Sequence, residues 1–531
     1  MIFVYQKGID GLKFVQIIKN NISLVYAMLC VVFAVGVIVF IFPQCTIDYI
    51  NYDSSYQYFL TQHSMAEIWE LLPQDYSPPL YAVLLKIYTM IFGNSLFVMR
   101  TFSLFAVGGM LWLAFFPVRA AFGCKTSFVC GVMIFSNAIV YRMLPEIRPT
   151  IFGMFFMMAI AVYAYIAFFQ DKKYAYICLT VFSVLGMYTH NITMLGALGV
   201  YVVSLLFCLI KRNISKFKKF FISGLVCAVI YIPWLIVVFK QFGNVQENFW
   251  STNISTDTVF RWLFFDFFSI GVLTPFGSVL VIISLLLIAA AVIVVLLAVR
   301  NRKLSETKTE ITDSEEKKQS MLSLPFLICE LLFPIALMVG FHYLCYPLAS
   351  RRYMFIYSIL LAVIISVAVT KYLHKLVPVA YCVLAIINCC YNNVAVRDDI
   401  SKSDAYVVFE KIKNENPDGK IAFLHTHEFF LGIMSYYFPD AEHYVCDETF
   451  TVLNTYDVFT TNITNVGSIE NIWNYTDEFY MWSDYNYEEY CTFDKAKVLL
   501  SPDNIECNPD KYYKQAYTTC DWILPYKLSR E

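Results

Sequence analysis

Nine ionisable residues stand at the ends of apolar runs or in the short segments between them: Asp48, Asp53, Asp75, Arg100, Glu146, Arg148, His190, Arg351 and Arg352. Their types form a coherent chemical set. A carboxylate can take the proton of a hydroxyl, and a guanidinium fork can hold two oxygens of one phosphate. Together they suit group transfer from a phosphate to a hydroxyl. Each also has a plainer reading. Asp48, Glu67, Glu70 and Arg351 read as solvated loop charges, and His190 as a residue that packs against or caps a helix end.

The elements that must position these groups are membrane helices. Of 531 residues 59% are hydrophobic and only 15% charged, with a mean hydropathy of +0.58, which excludes a water-soluble chain, a nucleic-acid binder or a disordered scaffold. A bilayer core of about 30 Å takes about 20 apolar residues in a helix. About eleven runs qualify: 24–42, 101–118, 126–141, 150–169, 174–190, 192–210, 220–239, 270–299, 321–349, 353–370 and 376–396. Lys and Arg then set the orientation, since positive loops stay in the cytoplasm. With the N-terminus inside, 20 of the 28 basic residues of 1–396 fall on the cytoplasmic side, including the run 211–219 and the linker 300–318. The first run is too long for a cleavable signal and reads as an uncleaved anchor. The fold expected is thus a polytopic α-helical membrane protein of the plasma membrane.

Two segments break the pattern. The first external loop, 43–99, contains an apolar stretch at 80–92 that is short, carries Lys86 and opens with Pro78 and Pro79, so it is expected to lie along the outer surface as an amphipathic helix. Residues 397–531 hold 11 Lys and Arg against 24 Asp and Glu, a balance of −13, while 1–396 stand at +11. This acidic region is expected to be an extracytoplasmic soluble α/β domain capping the outer cavity and helping to choose the acceptor. Strands are expected at 420–424, 442–445, 496–500 and 522–524 and a helix at 427–438. Its cysteines, Cys446, Cys491, Cys507 and Cys520, allow either two disulfides or four thiols. His425, His427, His443 and Cys446 have irregular spacing for zinc, and a structural role is expected of them. Asn462 and Asn474 open Asn-x-Thr triplets.

The order of motifs resembles glycosyltransferase family 39, the group of the protein O-mannosyltransferases and lipid A aminoarabinose transferases, with the GT-C fold. The resemblance lies in Asp53 within Tyr-Asp-Ser-Ser-Tyr, Asp75-Tyr-Ser-Pro-Pro-Leu-Tyr81, Phe92-Gly-Asn-Ser-Leu-Phe-Val-Met-Arg100, Glu146-Ile-Arg148-Pro and Tyr188-Thr-His190, and more weakly in Ser350-Arg-Arg-Tyr353. It implies that 1–396 form a GT-C-like catalytic domain. The implied reaction moves a sugar, hexosyl or pentosyl, from a polyprenyl-phosphate donor in the outer leaflet to a lipid, glycan or protein acceptor outside. An inverting transfer needs a base for the acceptor's proton and cations for the departing phosphate. Asp53 is the expected base and Asp75 the second catalytic carboxylate. Arg352 is the expected phosphate ligand, with Arg100, Arg148 and His190 behind it and Glu146 and Tyr81 in support. Arg100 and Arg148 have an alternative role, holding Asp75 and Glu146 in place.

One departure matters: many members carry Asp-Glu where this chain has Asp53-Ser54. No metal ligand is assigned, and metal dependence stays open, because Asp53 with Asp75 alone is a sparse oxygen site for a hard divalent cation. A transporter or flippase of lipid-linked glycans, or a glycan polymerase or ligase of another fold, are the competing readings. Few mid-membrane charges beyond Glu330 and His342 speak for a transporter, and the soluble region follows the last span rather than lying between late spans.

Overall fold

In the computed structural model, the described residues are 22–47, 50–74, 77–245, 255–269, 275–305, 315–344, 349–401, 404–418, 420–425, 428–446, 455–483, 496–500 and 524–530. Asp48, Asp75, His427, Cys491, Cys507 and Cys520 lie outside them. The chain is a polytopic α-helical membrane protein. Among the described residues, nine helices are long and apolar enough to cross a bilayer, by length and composition. The other two expected spans are helical but shorter. The run at 126–141 divides into Cys124–Phe135 and Ala138–Met143, where Asn137 caps the second piece through Ile139 N, and the run at 174–190 forms Lys173–Met187.

The tightest-packed spans are Thr150–Gln170 and Arg351–Lys371, each with 89% of its most apolar window buried, so they form the centre of the bundle. Close helix approach is made by small residues: a Cβ on Gly199 would meet Pro334 at 2.7 Å, and one on Gly196 would meet Met157 at 2.5 Å. Phe326 stacks on Phe168, and Phe207 meets both edge-on, where three spans converge.

The stretch at 80–92 is the helix Pro79–Phe92, with proline at its start and Gly93 at φ +100° ending it. Leu84, Ile87, Met90, Ile91 and Phe92 are exposed along it, while Lys86 Nζ donates to Thr61 O at 2.8 Å. That is an amphipathic helix with its cation turned to the loop.

The last membrane helix, Val377–Ser401, runs on past residue 396, and the helix Asp404–Glu415 follows it. Next comes a six-stranded sheet: β1 Ala422–His425, β2 Glu442–Val445, β3 Ile463–Asn465, β4 Glu478–Ser483, β5 Ala496–Leu500 and β6 Leu524–Arg530, in the order β3-β2-β1-β4-β6-β5. β1 to β4 pair in parallel, and β6 runs antiparallel to both of its neighbours, β4 and β5. The helix Glu428–Tyr437 joins β1 to β2. Two strands, β3 and β4, and the helix before β1 are absent from the sequence expectation; β3 has only three residues, too few for a visible alternation. Tail and bundle share one continuous apolar core, which holds Leu431, Met434, Tyr437 and Phe459 beside Phe59 and Leu60.

Candidate active site

Asp53 is placed by a cap. Asn51 Oδ1 accepts from Ser54 N at 2.8 Å and starts the helix Tyr52–Leu60, so Asp53 sits in the first turn, at the positive end of the helix dipole. A second bond docks this turn on the bundle: Ser54 Oγ accepts from Ile147 N at 3.1 Å. The short hydroxyl of Ser54 thus serves as a fastening for the segment that bears Arg148.

Two guanidiniums meet the Asp53 carboxylate, Arg148 through Nη2 on Oδ1 and Arg352 through Nη1 on Oδ2. The three side chains are 18%, 24% and 37% exposed, so the cluster is walled by protein yet open on one side. Burial, and then Arg352 beside it, act against the charge of Arg148. A guanidinium keeps its proton in such surroundings. With one carboxylate against two guanidiniums, the cluster has an excess of one positive charge.

His190 completes this group. It lies in the turn before Asn191–Ile210 and caps that helix, its Nδ1 accepting from Ile192 N at 3.2 Å. Burial, with Arg148 adding to it, pushes the imidazole down to about 3. The ring is therefore neutral near pH 7, and with Nδ1 accepting, Nε2 carries the proton as a donor. Tyr353 packs edge-on against it at 5.5 Å. His190 thus both caps a helix and presents an N–H.

Arg352 is aimed by its neighbour. Arg351 grips Asp266 with Nε on Oδ2 at 2.7 Å and Nη2 on Oδ1 at 2.6 Å, anchoring the start of Arg351–Ser358. Asp266 is 5% exposed; burial raises its carboxyl and the Arg351 contact opposes that. Reading Arg351 as a solvated loop charge is thereby corrected. Its partner Asp266 lies in the apolar run Arg-Trp-Leu-Phe-Phe-Asp-Phe-Phe, where a lone acid was the available signal.

Arg100 has another place. It is 1% exposed, and it donates from Nε to Pro145 O at 2.7 Å and from Nη1 to Ile47 O, tying the first loop to the turn before Glu146. In place of the alternative in which Arg100 and Arg148 hold Asp75 and Glu146, Arg148 pairs with Asp53. Glu146 is 6% exposed and its Oε2 is buried without a partner among the described residues, as are Tyr81 OH and Gln57 Oε1. Tyr81 packs against Phe102 and Phe152, and the Leu80 N–H of its helix donates to Tyr188 O at 2.9 Å, just before His190. Glu67 closes a capping box with Ser64. Among the described residues no group of three His, Cys, Asp or Glu side chains could hold a metal ion.

In the tail, His425 Nε2 and His443 Nδ1 are 2.8 Å apart, and His443 Nε2 faces Phe438 O at 3.2 Å. The bonds run in series, His425 donating to His443 and His443 to the carbonyl, and both rings are buried beside Phe423.

Residues 76–237 match the family described as dolichyl-phosphate-mannose-protein mannosyltransferase. The crystal structure of ArnT from Cupriavidus metallidurans in the apo state is similar with a TM-score of 0.61 at 10% identity, covering 94% of this chain and 97% of that one. The same ArnT bound to undecaprenyl phosphate is similar with a TM-score of 0.58, at the same identity and coverage. The segment 76–237 of this membrane protein is thus similar to the glycosyltransferase family 39 type. The fold of the chain is the GT-C fold of ArnT. No curated protein matches it.

Proposed function

We propose that the protein transfers a glycosyl group from a polyprenyl-phosphate donor to a hydroxyl or similar group of a lipid, glycan or protein acceptor, with inversion, on the extracytoplasmic face of the plasma membrane. The observation that carries this reading is the half-open cluster of Asp53, Arg148, Arg352 and neutral His190, with its one excess positive charge. Such a cluster suits a lipid phosphate anion, and the family-39-type segment and ArnT-like fold support the same chemistry. The ArnT structure that contains undecaprenyl phosphate suggests the class of carrier lipid.

In this reading the donor phosphate takes the forks of Arg148 and Arg352 and a hydrogen bond from His190 Nε2. The same event releases the Asp53 carboxylate. Asp53 then accepts the acceptor's proton as the acceptor oxygen bonds to the anomeric carbon from the face opposite the phosphate. The bond from that carbon to the phosphate oxygen breaks, and the guanidiniums stabilise the charge left on the lipid phosphate. Asp75 serves as a second carboxylate that positions the acceptor or Asp53.

The test is reconstitution in proteoliposomes with a panel of undecaprenyl-phosphate-linked hexoses and pentoses and with lipid, glycan and protein fractions as acceptors, following release of undecaprenyl phosphate by mass spectrometry. Release from at least one donor, lost in Asp53→Asn, is expected. Movement of intact lipid-linked sugar across the bilayer without cleavage would replace the transferase with a flippase.

A further inference from the structure

The helix Tyr52–Leu60 has two faces of different use. Each residue turns the helix by about 100°, so Asp53 and Gln57 share one face while Ser55, Tyr58 and Phe59 share the opposite one. The first meets Arg148 and Arg352. The second is covered by the tail. A Cβ on Gly432, in the helix Glu428–Tyr437, would lie 2.4 Å from Ser55 Oγ and 2.9 Å from the Phe459 ring. Ser55 Oγ is itself held by Tyr52 O at 2.7 Å, so it swings aside only by losing that bond. Tyr436 packs edge-on against Tyr58 at 5.0 Å, and Phe459 against Phe59 at 5.4 Å. Beyond the two helix ends, Tyr437 OH accepts from Ile50 N at 3.3 Å and His63 Nε2 meets Val458 O at 2.7 Å. Tail contacts thus bracket the helix along its whole length.

We propose that the tail seats Asp53 between its two arginines, with the Gly432–Ser55 approach setting where the helix lies, and that this seating tunes how tightly the site holds a lipid phosphate. The proposal rests on the reading of Arg148 and Arg352 as phosphate ligands. Carboxylate and phosphate are rival anions for the same guanidinium forks, and fork geometry tolerates little displacement. A well-seated Asp53 therefore weakens phosphate binding and leaves the site only when donor is present. A displaced Asp53 yields the forks to phosphate. A tail that served stability alone has the opposite consequence, because a loosened site binds its ligand less well.

The experiment measures binding of undecaprenyl phosphate to the full chain in nanodiscs. Asp53→Asn removes the rival and should bind about fivefold more tightly, the equivalent of one partly exposed ion pair. Gly432→Ala should approach that tighter value, and adding Ser55→Ala should bring it back toward wild type. Arg352→Ala should bind about tenfold more weakly. Wild-type or weaker binding in Gly432→Ala, beside tightening in Asp53→Asn, overturns the seating role. Absence of tightening in Asp53→Asn overturns the rivalry itself. Unchanged binding in Arg352→Ala overturns the phosphate reading on which both stand. If folded Gly432→Ala is not recovered, Tyr437→Phe, which loses one hydroxyl facing Ile50 N, is judged by the same outcomes.

Discussion

Two adjacent arginines have unlike duties at the residue scale. Arg351 neutralises a carboxylate that is 5% exposed, whereas Arg352 shares an open cluster. Removing one partner of a buried pair leaves the other charge stranded, typically at about 3–5 kcal/mol. Arg351→Ala should therefore lower the melting temperature of the detergent-solubilised protein well beyond Arg352→Ala, and equal melting of the two variants would contradict the assignment of Asp266 as a buried partner. Asp53 differs again, since it is expected to act on the proton. Asp53→Asn preserves size but not basicity and should reduce the transfer rate by about 10²–10⁴. Near-normal turnover there would move the base elsewhere, with Glu146 next to be tested because its Oε2 lacks a partner among the described residues.

The decisive element is the helix Tyr52–Leu60. It is nine residues long, too short to stand alone in water, and its place comes from Asn51 at its start, Ser54 on the Ile147 amide and the tail on its far face. Losing an Asn cap usually costs about 1 kcal/mol. Asn51→Ala should raise amide hydrogen exchange across this helix while leaving the span Thr150–Gln170 unchanged. Equal protection in wild type and variant would show that packing alone holds the helix. The motif around Asp53 was legible in sequence, but the use of Ser54 was not, because a serine in a helix's first turn has no periodic signature and its partner is an amide 93 residues away.

For the whole molecule, two expectations concern pH and topology. His443 is pushed down to about 4 by burial, opposed by the Phe438 carbonyl, and His425 is driven well down by burial and by His443. Both values lie below that of an unfolded histidine, about 6.5, so the unfolded tail takes up protons first as pH falls. Their contribution to stability is complete above about 6.5 and declines toward about 4. Hydrogen exchange of β1 and β2 should accelerate over that window, and His443→Gln should flatten the response; a profile identical to wild type would assign the pH dependence to other groups. For topology, cysteines introduced in 300–318 should be protected from an impermeant maleimide in intact cells and those introduced in the tail should react. The reverse pattern would invert the orientation.

By itself the sequence determined the class of molecule and the positions of most membrane helices, and it named candidate groups for the chemistry. Bilayer thickness imposes a local length on every span, and lysine and arginine mark loops locally, so both are readable without a fold. The division of the run at 126–141 escaped that logic, since Asn137 interrupts a helix without lowering the run's hydropathy much. Tertiary structure decided the partnerships. Asp53 and Arg352 are 299 residues apart in the chain, and nothing in the spacing distinguishes Arg352 from Arg351. Arg100 and Arg148 looked alike as outer guanidiniums, yet one is sealed against two backbone carbonyls and the other lies on Asp53. The tail's docking on the back of the Asp53 helix was equally invisible, because it depends on a glycine whose missing Cβ matters only once two distant helices touch. Local chemistry names the candidates, and long-range packing alone assigns each its partner.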